Sequence, residues 1–236
     1  YTETTGLPNL VRYGLRGNEL VPGAGVYVDD LQLGYASSTT CPEISSTGVW
    51  DDRYPLYVAH QTILGNGEIS AKINSHTNSG SGISGLVMRQ DLLQGDLGAA
   101  FVFNNSTGML ELVVRDVQGN TNVTRNPSQM GSPPQWLKLI HTDGTVKAHI
   151  SVDGTSWAEI DSFPIAFSGE IEAGIALAVS GTSQQVVDID NAWAQSEISG
   201  VIDADTTLYK GQYYFVADDL TINSGATLKI EEGVIL

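Results

Sequence analysis

Apolar and polar residues alternate between Trp136 and Trp157, and this alternation predicts β-strands. The apolar positions recur with a period of two: Leu137, Leu139, Val146, Ala148, Ile150 and Val152. Such a period is typical of a strand with one buried and one solvent-facing side. The pairs Asp143-Gly144 and Asp153-Gly154 favour the positive φ angles of two-residue hairpin turns. We therefore predict a three-stranded β-meander.

Short apolar runs separated by turn signals continue through much of the chain. The clearest are residues 55–59, 69–73, 85–89, 99–103, 110–115, 171–179 and 186–193. Closely spaced short strands of this kind favour two packed antiparallel sheets over any helical class. We predict an all-β chain whose main domain, residues 42–198, is an antiparallel two-sheet sandwich.

Several of these strands carry a family resemblance. The Trp-Leu-Lys-Leu run at 136–139, the Ser-x-Asp-Gly-x-Ser-Trp run at 151–157, the Gly-Leu-Val-Met-Arg run at 85–89 and the last strand at 186–193 resemble concanavalin A-like and laminin G-like jelly-roll modules. The nearest pattern is the module appended to bacterial family-43 xylosidases. The resemblance implies a jelly-roll sandwich and a link to carbohydrates.

The segments on either side of the sandwich have different patterns. Residues 26–33 echo the strand at 186–193, so residues 1–41 are either the tail of a preceding homologous module or an added strand pair. Residues 199–236 contain short apolar strands at 220–222, 228–230 and 234–236 between glycine-containing corners. They resemble the opening coils of bacterial parallel β-helices, which predicts a β-solenoid start with an open end.

Composition restricts the partners of the chain. Its 27 acidic residues outnumber 11 basic ones, for a formal net charge of −16, and such a surface repels nucleic acid. The single cysteine, Cys41, cannot form an internal disulfide. No apolar stretch is long enough to span a membrane. The turn-rich, lysine-poor composition is typical of secreted bacterial adhesins and glycan-binding modules, so we expect an extracellular protein.

The sequence favours a non-catalytic role. Glucanases of the resembling superfamily carry a Glu-x-Asp-x-x-Glu arrangement, which supplies the paired carboxyls of retaining hydrolysis, and it is missing here. Glu170 and Glu172 share one strand face but lie between glycines, as at a domain rim. The histidines are scattered without zinc-site spacing.

Calcium is the most plausible metal, because carboxylate and amide oxygens suit a hard cation. The candidate ligands are Asp51 and Asp52 at the entry to the main domain, and Asp188 and Asp190 on its last strand. Asn191 points to the opposite face from Asp188 and Asp190 unless the strand bulges. Solvated strand-end acids are the competing interpretation.

Glycan recognition requires exposed aromatic rings beside amide or carboxylate groups. We take Trp50, Tyr54 and Tyr57 as candidate ligand-binding residues. Trp136 and Trp157 occupy positions at which the resemblance implies core packing.

These patterns predict an adhesion or carbohydrate-binding module of a large modular surface or secreted protein. The main alternative is a structural subunit of an extracellular filament or layer, which would assemble by strand addition at the N-terminal strands and the open solenoid end. A third hypothesis is an accessory domain of an enzyme whose active site lies elsewhere.

Overall fold

A computed structural model gives the fold. It describes residues 11–14, 27–31, 45–49, 55–78, 82–91, 96–105, 107–116, 123–125, 132–179 and 185–236. Every regular element in these ranges is a β-strand. Among the same residues, none forms a helix with the length and apolar character needed to cross a bilayer. The prediction of an all-β chain is confirmed.

Seventeen strands are described in these ranges: β1 (Val11–Gly14), β2 (Tyr27–Leu31), β3 (Ser45–Val49), β4 (Pro55–Leu64), β5 (Gly67–Asn78), β6 (Gly82–Arg89), β7 (Gly98–Asn104), β8 (Met109–Arg115), β9 (Val123–Arg125), β10 (Gln135–Thr142), β11 (Thr145–Ser151), β12 (Ala158–Pro164), β13 (Glu170–Val179), β14 (Gln185–Ile202), β15 (Thr206–Leu208), β16 (Tyr214–Ile222) and β17 (Leu228–Ile230).

Two large sheets form the main body. Sheet I has six strands in the order β12-β11-β10-β5-β14-β16, and sheet II has seven in the order β3-β4-β13-β6-β7-β8-β9. All pairings within them are antiparallel except the one between β14 and β16. The antiparallel two-sheet sandwich predicted from alternation is therefore confirmed.

The core lies between the two sheets. Its fully buried side chains come from both of them, with Ile69, Ile73, Leu137 and Leu139 from sheet I and Leu86, Phe101, Leu112 and Ile171 from sheet II. Leu137 and Leu139 belong to the period-two pattern, and the other six fall in the predicted apolar runs. Burial of this apolar surface is the main source of stability.

The first predicted hairpin turn is confirmed. Asp143 and Gly144 join β10 to β11 with φ angles of 49° and 73°. Positive φ at both central positions is the geometry of a type I′ turn, which matches the twist of antiparallel strands. The turn therefore sets the register of the meander.

The flanking segments contact or extend the sandwich. β1 and β2 pair with each other, and β2 contacts β14. β14 continues as far as Ile202, so the predicted boundary between residues 198 and 199 lies inside a strand. Near the C-terminus, β16 pairs with β14 and β17 pairs with β15, both in parallel. The three-part division at residues 41 and 198 stays a prediction.

Candidate functional site

The outer face of sheet I carries three of the chain's four tryptophans. Leu137 and Leu139 face the core, so Trp136 and Lys138 lie on the opposite side of β10. Trp193 lies on the same outer face of β14, between the buried Ala192 and Ala194. We call the surface formed by Trp136, Trp157, Trp193, Lys138, Glu68, Ser70 and Gln195 the tryptophan face.

The tryptophans of this face are only partly buried, and they are absent from the core cluster of the described residues. The expectation that Trp136 and Trp157 pack the core is therefore wrong. Successive residues of a strand face opposite sides of the sheet. Because Leu137 and Leu139 of β10 face the core, Trp136 must point outward.

Trp136 and Trp157 form an edge-to-face pair. Their ring centroids lie 6.4 Å apart and their planes meet at 83°. Lys138 Nζ lies 4.5 Å from the centroid of the Trp157 ring, within the range of a cation–π contact. The two rings and the ammonium group therefore support one another.

A polar bridge joins this aromatic pair to β14. Lys138 Nζ donates to Glu68 Oε2 at 3.1 Å, and Gln195 Nε2 donates to Glu68 Oε1 at 3.1 Å. The side chains of Lys138 and Glu68 are 13% and 17% exposed. Glu68 thus fixes the two neighbouring side chains from the middle strand, so the face presents charged and amide groups beside its rings.

The loop between β11 and β12 holds Trp157. Asp153 Oδ1 accepts hydrogen bonds from Ser151 Oγ and from the N–H groups of Thr155 and Ser156, at 2.9, 2.8 and 2.7 Å. These bonds from the two N–H groups and the Ser151 hydroxyl hold the pKa of Asp153 well below its usual range. The loop is therefore fixed by a charged group that stays ionised in mild acid.

The prediction of a two-residue hairpin turn at Asp153-Gly154 is wrong. β11 ends at Ser151 and β12 starts at Ala158, so Asp153 and Gly154 belong to a longer loop. Ser151 Oγ also accepts from the N–H of Gly154, at 2.9 Å, and such side-chain bonds compete with the strand ladder. Val152, predicted to face the core, is 86% exposed.

Gly154 packs against the Trp136 ring. A Cβ atom at this position would lie 2.7 Å from Cε2 and 2.9 Å from Cζ2 of Trp136, and the φ angle is +76°. Both the left-handed backbone and the contact favour glycine. The loop thus positions Trp136 as well as Trp157.

Three buried polar atoms around the tryptophan face have no hydrogen-bond partner among the described residues. They are Ser70 Oγ, His149 Nδ1 and Asp190 Oδ1. Burial lowers the pKa of His149, against a smaller opposite effect of Glu159, whose Oε2 lies 3.8 Å from His149 Nε2. Unsatisfied buried polar groups are costly. These three atoms have almost no accessible surface, so they lie beneath the face and do not form its accessible surface.

The sequence-predicted ligand residues are not brought into this face. Trp50 and Tyr54 lie outside the described residues. Tyr57 lies on β4 of sheet II, where it pairs with Leu177. The involvement of these three residues in glycan binding stays a prediction.

The proposed calcium ligands are only partly described. Asp51 and Asp52 lie outside the described residues. On β14, Asp188 is exposed and Asp190 is half-buried, and the ladder to β5 bulges between Asp190 and Trp193, with Asn191 at φ 50°. Within the described part of the chain, no cluster of three or more His, Cys, Asp or Glu could hold a metal. A calcium site stays a prediction.

The outer face of sheet II carries a second polar cluster. His60 Nδ1 lies 2.6 Å from Glu172 Oε2, and Thr62 Oγ1 donates to Glu172 Oε1 at 3.1 Å. Burial raises the pKa of Glu172, but the hydrogen bonds from His60 and Thr62 outweigh it, so the pKa lies below its usual value. Arg89, which pairs in register with Glu172, is 1% exposed. Glu172 is therefore held ionised by its neighbours, an arrangement that stabilises the sheet.

Comparisons with known proteins bear on the fold. No protein-family model matches the sequence, and no curated protein matches it. A functionally unknown protein from Saccharomyces cerevisiae is similar over 64% of this chain and 83% of its own, with 15% identity and a TM-score of 0.53. At that identity the likeness supports the fold alone.

Two further solved structures match less closely in shape. A carbohydrate-binding module from Bacillus subtilis covers 61% of this chain and 83% of its own, with 13% identity and a TM-score of 0.43. A legume lectin-like domain from Entamoeba histolytica matches 65% of this chain and 82% of its own length, with 12% identity and a TM-score of 0.42. These scores are too low to carry an argument. The class of protein therefore rests on the structure itself, which is a two-sheet β-sandwich with an aromatic and polar outer face.

Proposed function

We propose that this chain is a non-catalytic carbohydrate-binding module of a jelly-roll type, and that the tryptophan face is its binding surface. The observation that carries the proposal is the set of partly exposed tryptophan rings beside the Lys138–Glu68–Gln195 bridge. A pyranose has an apolar face that packs on an aromatic ring and polar edges that need donors and acceptors. The face supplies both.

We further propose that this module belongs to a larger surface or secreted protein that is used for adhesion. The formal charge of −16 disfavours nucleic acid as a ligand and is compatible with neutral polysaccharides. Binding by one open face is weak, and strength would come from repetition of modules.

The test is binding to a panel of polysaccharides by wild type and by Trp157→Ala. Xylan, cellulose, mannan, chitin, pectin and β-glucan are suitable probes, each assayed with and without calcium. We expect binding to at least one, with a loss of about tenfold or more in Trp157→Ala because an aromatic anchor contributes about 1.4 kcal/mol or more.

The matched control is Tyr209→Ala. Tyr209 is a 44% exposed aromatic residue that follows β15, outside sheet I, so the loss of its ring is expected to leave affinity unchanged. Folding of each variant is checked by circular dichroism. Equal binding by wild type and Trp157→Ala would refute the assignment of the face.

A second candidate function is filament or layer formation by strand addition, with residues 199–236 as the start of a parallel β-helix. Two parallel pairings support it, because Thr206 pairs with Leu228 and Tyr213 with Ile235, each 22 residues further on. A constant parallel offset is the pattern of stacked solenoid coils.

Exposed apolar side chains on this segment favour the same role. β16 and β17 are edge strands, and the exposed apolar residues on and around them are Phe215, Val216, Ile222, Ile230, Ile235 and Leu236. An added parallel strand would cover such an edge. Light scattering over a concentration series separates the two candidates: concentration-dependent assembly supports this one, and a stable monomer that binds a polysaccharide supports the first.

A further inference from the structure

The spacing of the rings on the tryptophan face defines the size of its ligand. Trp136 on β10 pairs with Lys72 of β5, and Trp193 on β14 pairs with Ser70 of β5. The two tryptophans are thus separated by two strand spacings and one two-residue step along the strands, which places their Cα atoms about 12 Å apart. Trp157 lies beyond Trp136, on the side of β12.

The surface between these rings has a small polar residue at its centre. Ser70 pairs with Lys138 on one side and with Trp193 on the other. Its side chain is 1% exposed, and its hydroxyl has no partner among the described residues. Because Ser70 is almost fully covered, it lies beneath its larger neighbours. The surface between the aromatic groups is therefore formed by the Lys138–Glu68–Gln195 bridge.

We propose that the tryptophan face binds an extended linear oligosaccharide that crosses the strands of sheet I, rather than a single terminal sugar. The inference rests on the proposed carbohydrate-binding function. One end of the oligosaccharide packs on the Trp136–Trp157 pair and the other end packs on Trp193. Sugar hydroxyls between them meet the Lys138–Glu68–Gln195 bridge. A single pyranose on either ring leaves the other ring unused, since about 12 Å separates their backbone positions.

The experiment is calorimetric titration with xylo-, cello- and manno-oligosaccharides of increasing length, from the monosaccharide to the hexasaccharide. In the series that binds, we expect affinity to rise by about tenfold or more between the disaccharide and the longer members. Trp193→Ala is expected to remove this gain, and so to weaken the longer members more than the disaccharide. Trp157→Ala is expected to weaken every length.

The outcomes separate this inference from the function on which it rests. Equal affinity for short and long members, with a loss in Trp157→Ala, would overturn the extended-chain inference and leave carbohydrate binding intact. An equal loss at every length in Trp193→Ala would also overturn it. Absence of binding to every oligosaccharide and to every polysaccharide of the panel would count against the carbohydrate-binding function itself. Tyr209→Ala again serves as the control for loss of an exposed ring.

Discussion

Replacing Phe101 by alanine is expected to lower the free energy of unfolding by about 3–5 kcal/mol. Phe101 lies on β7 of sheet II, and its ring is fully buried in the core between the sheets. Truncation to alanine removes the contacts of the ring with the core and leaves a cavity between the two sheets. Guanidinium denaturation followed by circular dichroism measures the change.

Val152→Ala is the control for this prediction. Val152 is 86% exposed in the loop after β11, so its truncation is expected to change stability by less than about 0.5 kcal/mol. If Phe101→Ala cost no more than Val152→Ala, the two sheets would not pack as described.

Gly154→Ala is expected to lower the free energy of unfolding by about 2–4 kcal/mol. An alanine at this position must adopt a left-handed backbone with a φ of +76°. Its Cβ would also lie 2.7 Å from Cε2 of Trp136. Trp136 must then move, which disturbs its edge-to-face contact with Trp157. We expect an altered near-ultraviolet circular dichroism spectrum and weaker polysaccharide binding, in addition to lower stability.

Gly108→Ala separates the two causes. Gly108 has a similar φ of +68°, but no atom lies within 4 Å of the position that a Cβ would take there. The substitution therefore introduces backbone strain alone, about 1–2 kcal/mol, with no change in the tryptophan spectrum or in binding. Identical behaviour of the two variants would show that Gly154 does not position Trp136.

The architecture was accessible from the sequence because period-two patterning decides which side of a strand is buried. Leu137 and Leu139 alternate with polar neighbours and are core residues, as predicted. Asp143-Gly144 is a strong local turn signal, and the structure has a two-residue turn there. Where one local preference dominates, sequence and structure agree.

The second Asp-Gly pair shows where such signals fail. Asp153 and Gly154 have the same residue types as the first turn, but Ser151 precedes them, and its hydroxyl bonds to Asp153 and to the N–H of Gly154. Side-chain to backbone hydrogen bonds compete with the strand ladder. The composition of the dipeptide does not reveal this competition.

The candidate site was only partly predictable. The phase of the β10 pattern contains the signal that Trp136 points outward, because it alternates with Leu137 in the same way as Lys138 does. The placement of Trp193 depends on the β14 bulge near Asn191, which shifts the alternation so that Ala192 and Ala194 face the core. A bulge inserts one residue without a reliable sequence signal.

The most direct test of the central claim is to map the bound ligand on the chain's four tryptophans. The indole N–H signals of ¹⁵N-labelled protein are assigned by single replacements with phenylalanine and followed during titration with the tightest-binding oligosaccharide. We predict that the signals of Trp136, Trp157 and Trp193 shift together. Shifts confined to Trp50, or to backbone signals around His60 and Glu172 on sheet II, would contradict the assignment of the tryptophan face as the binding surface.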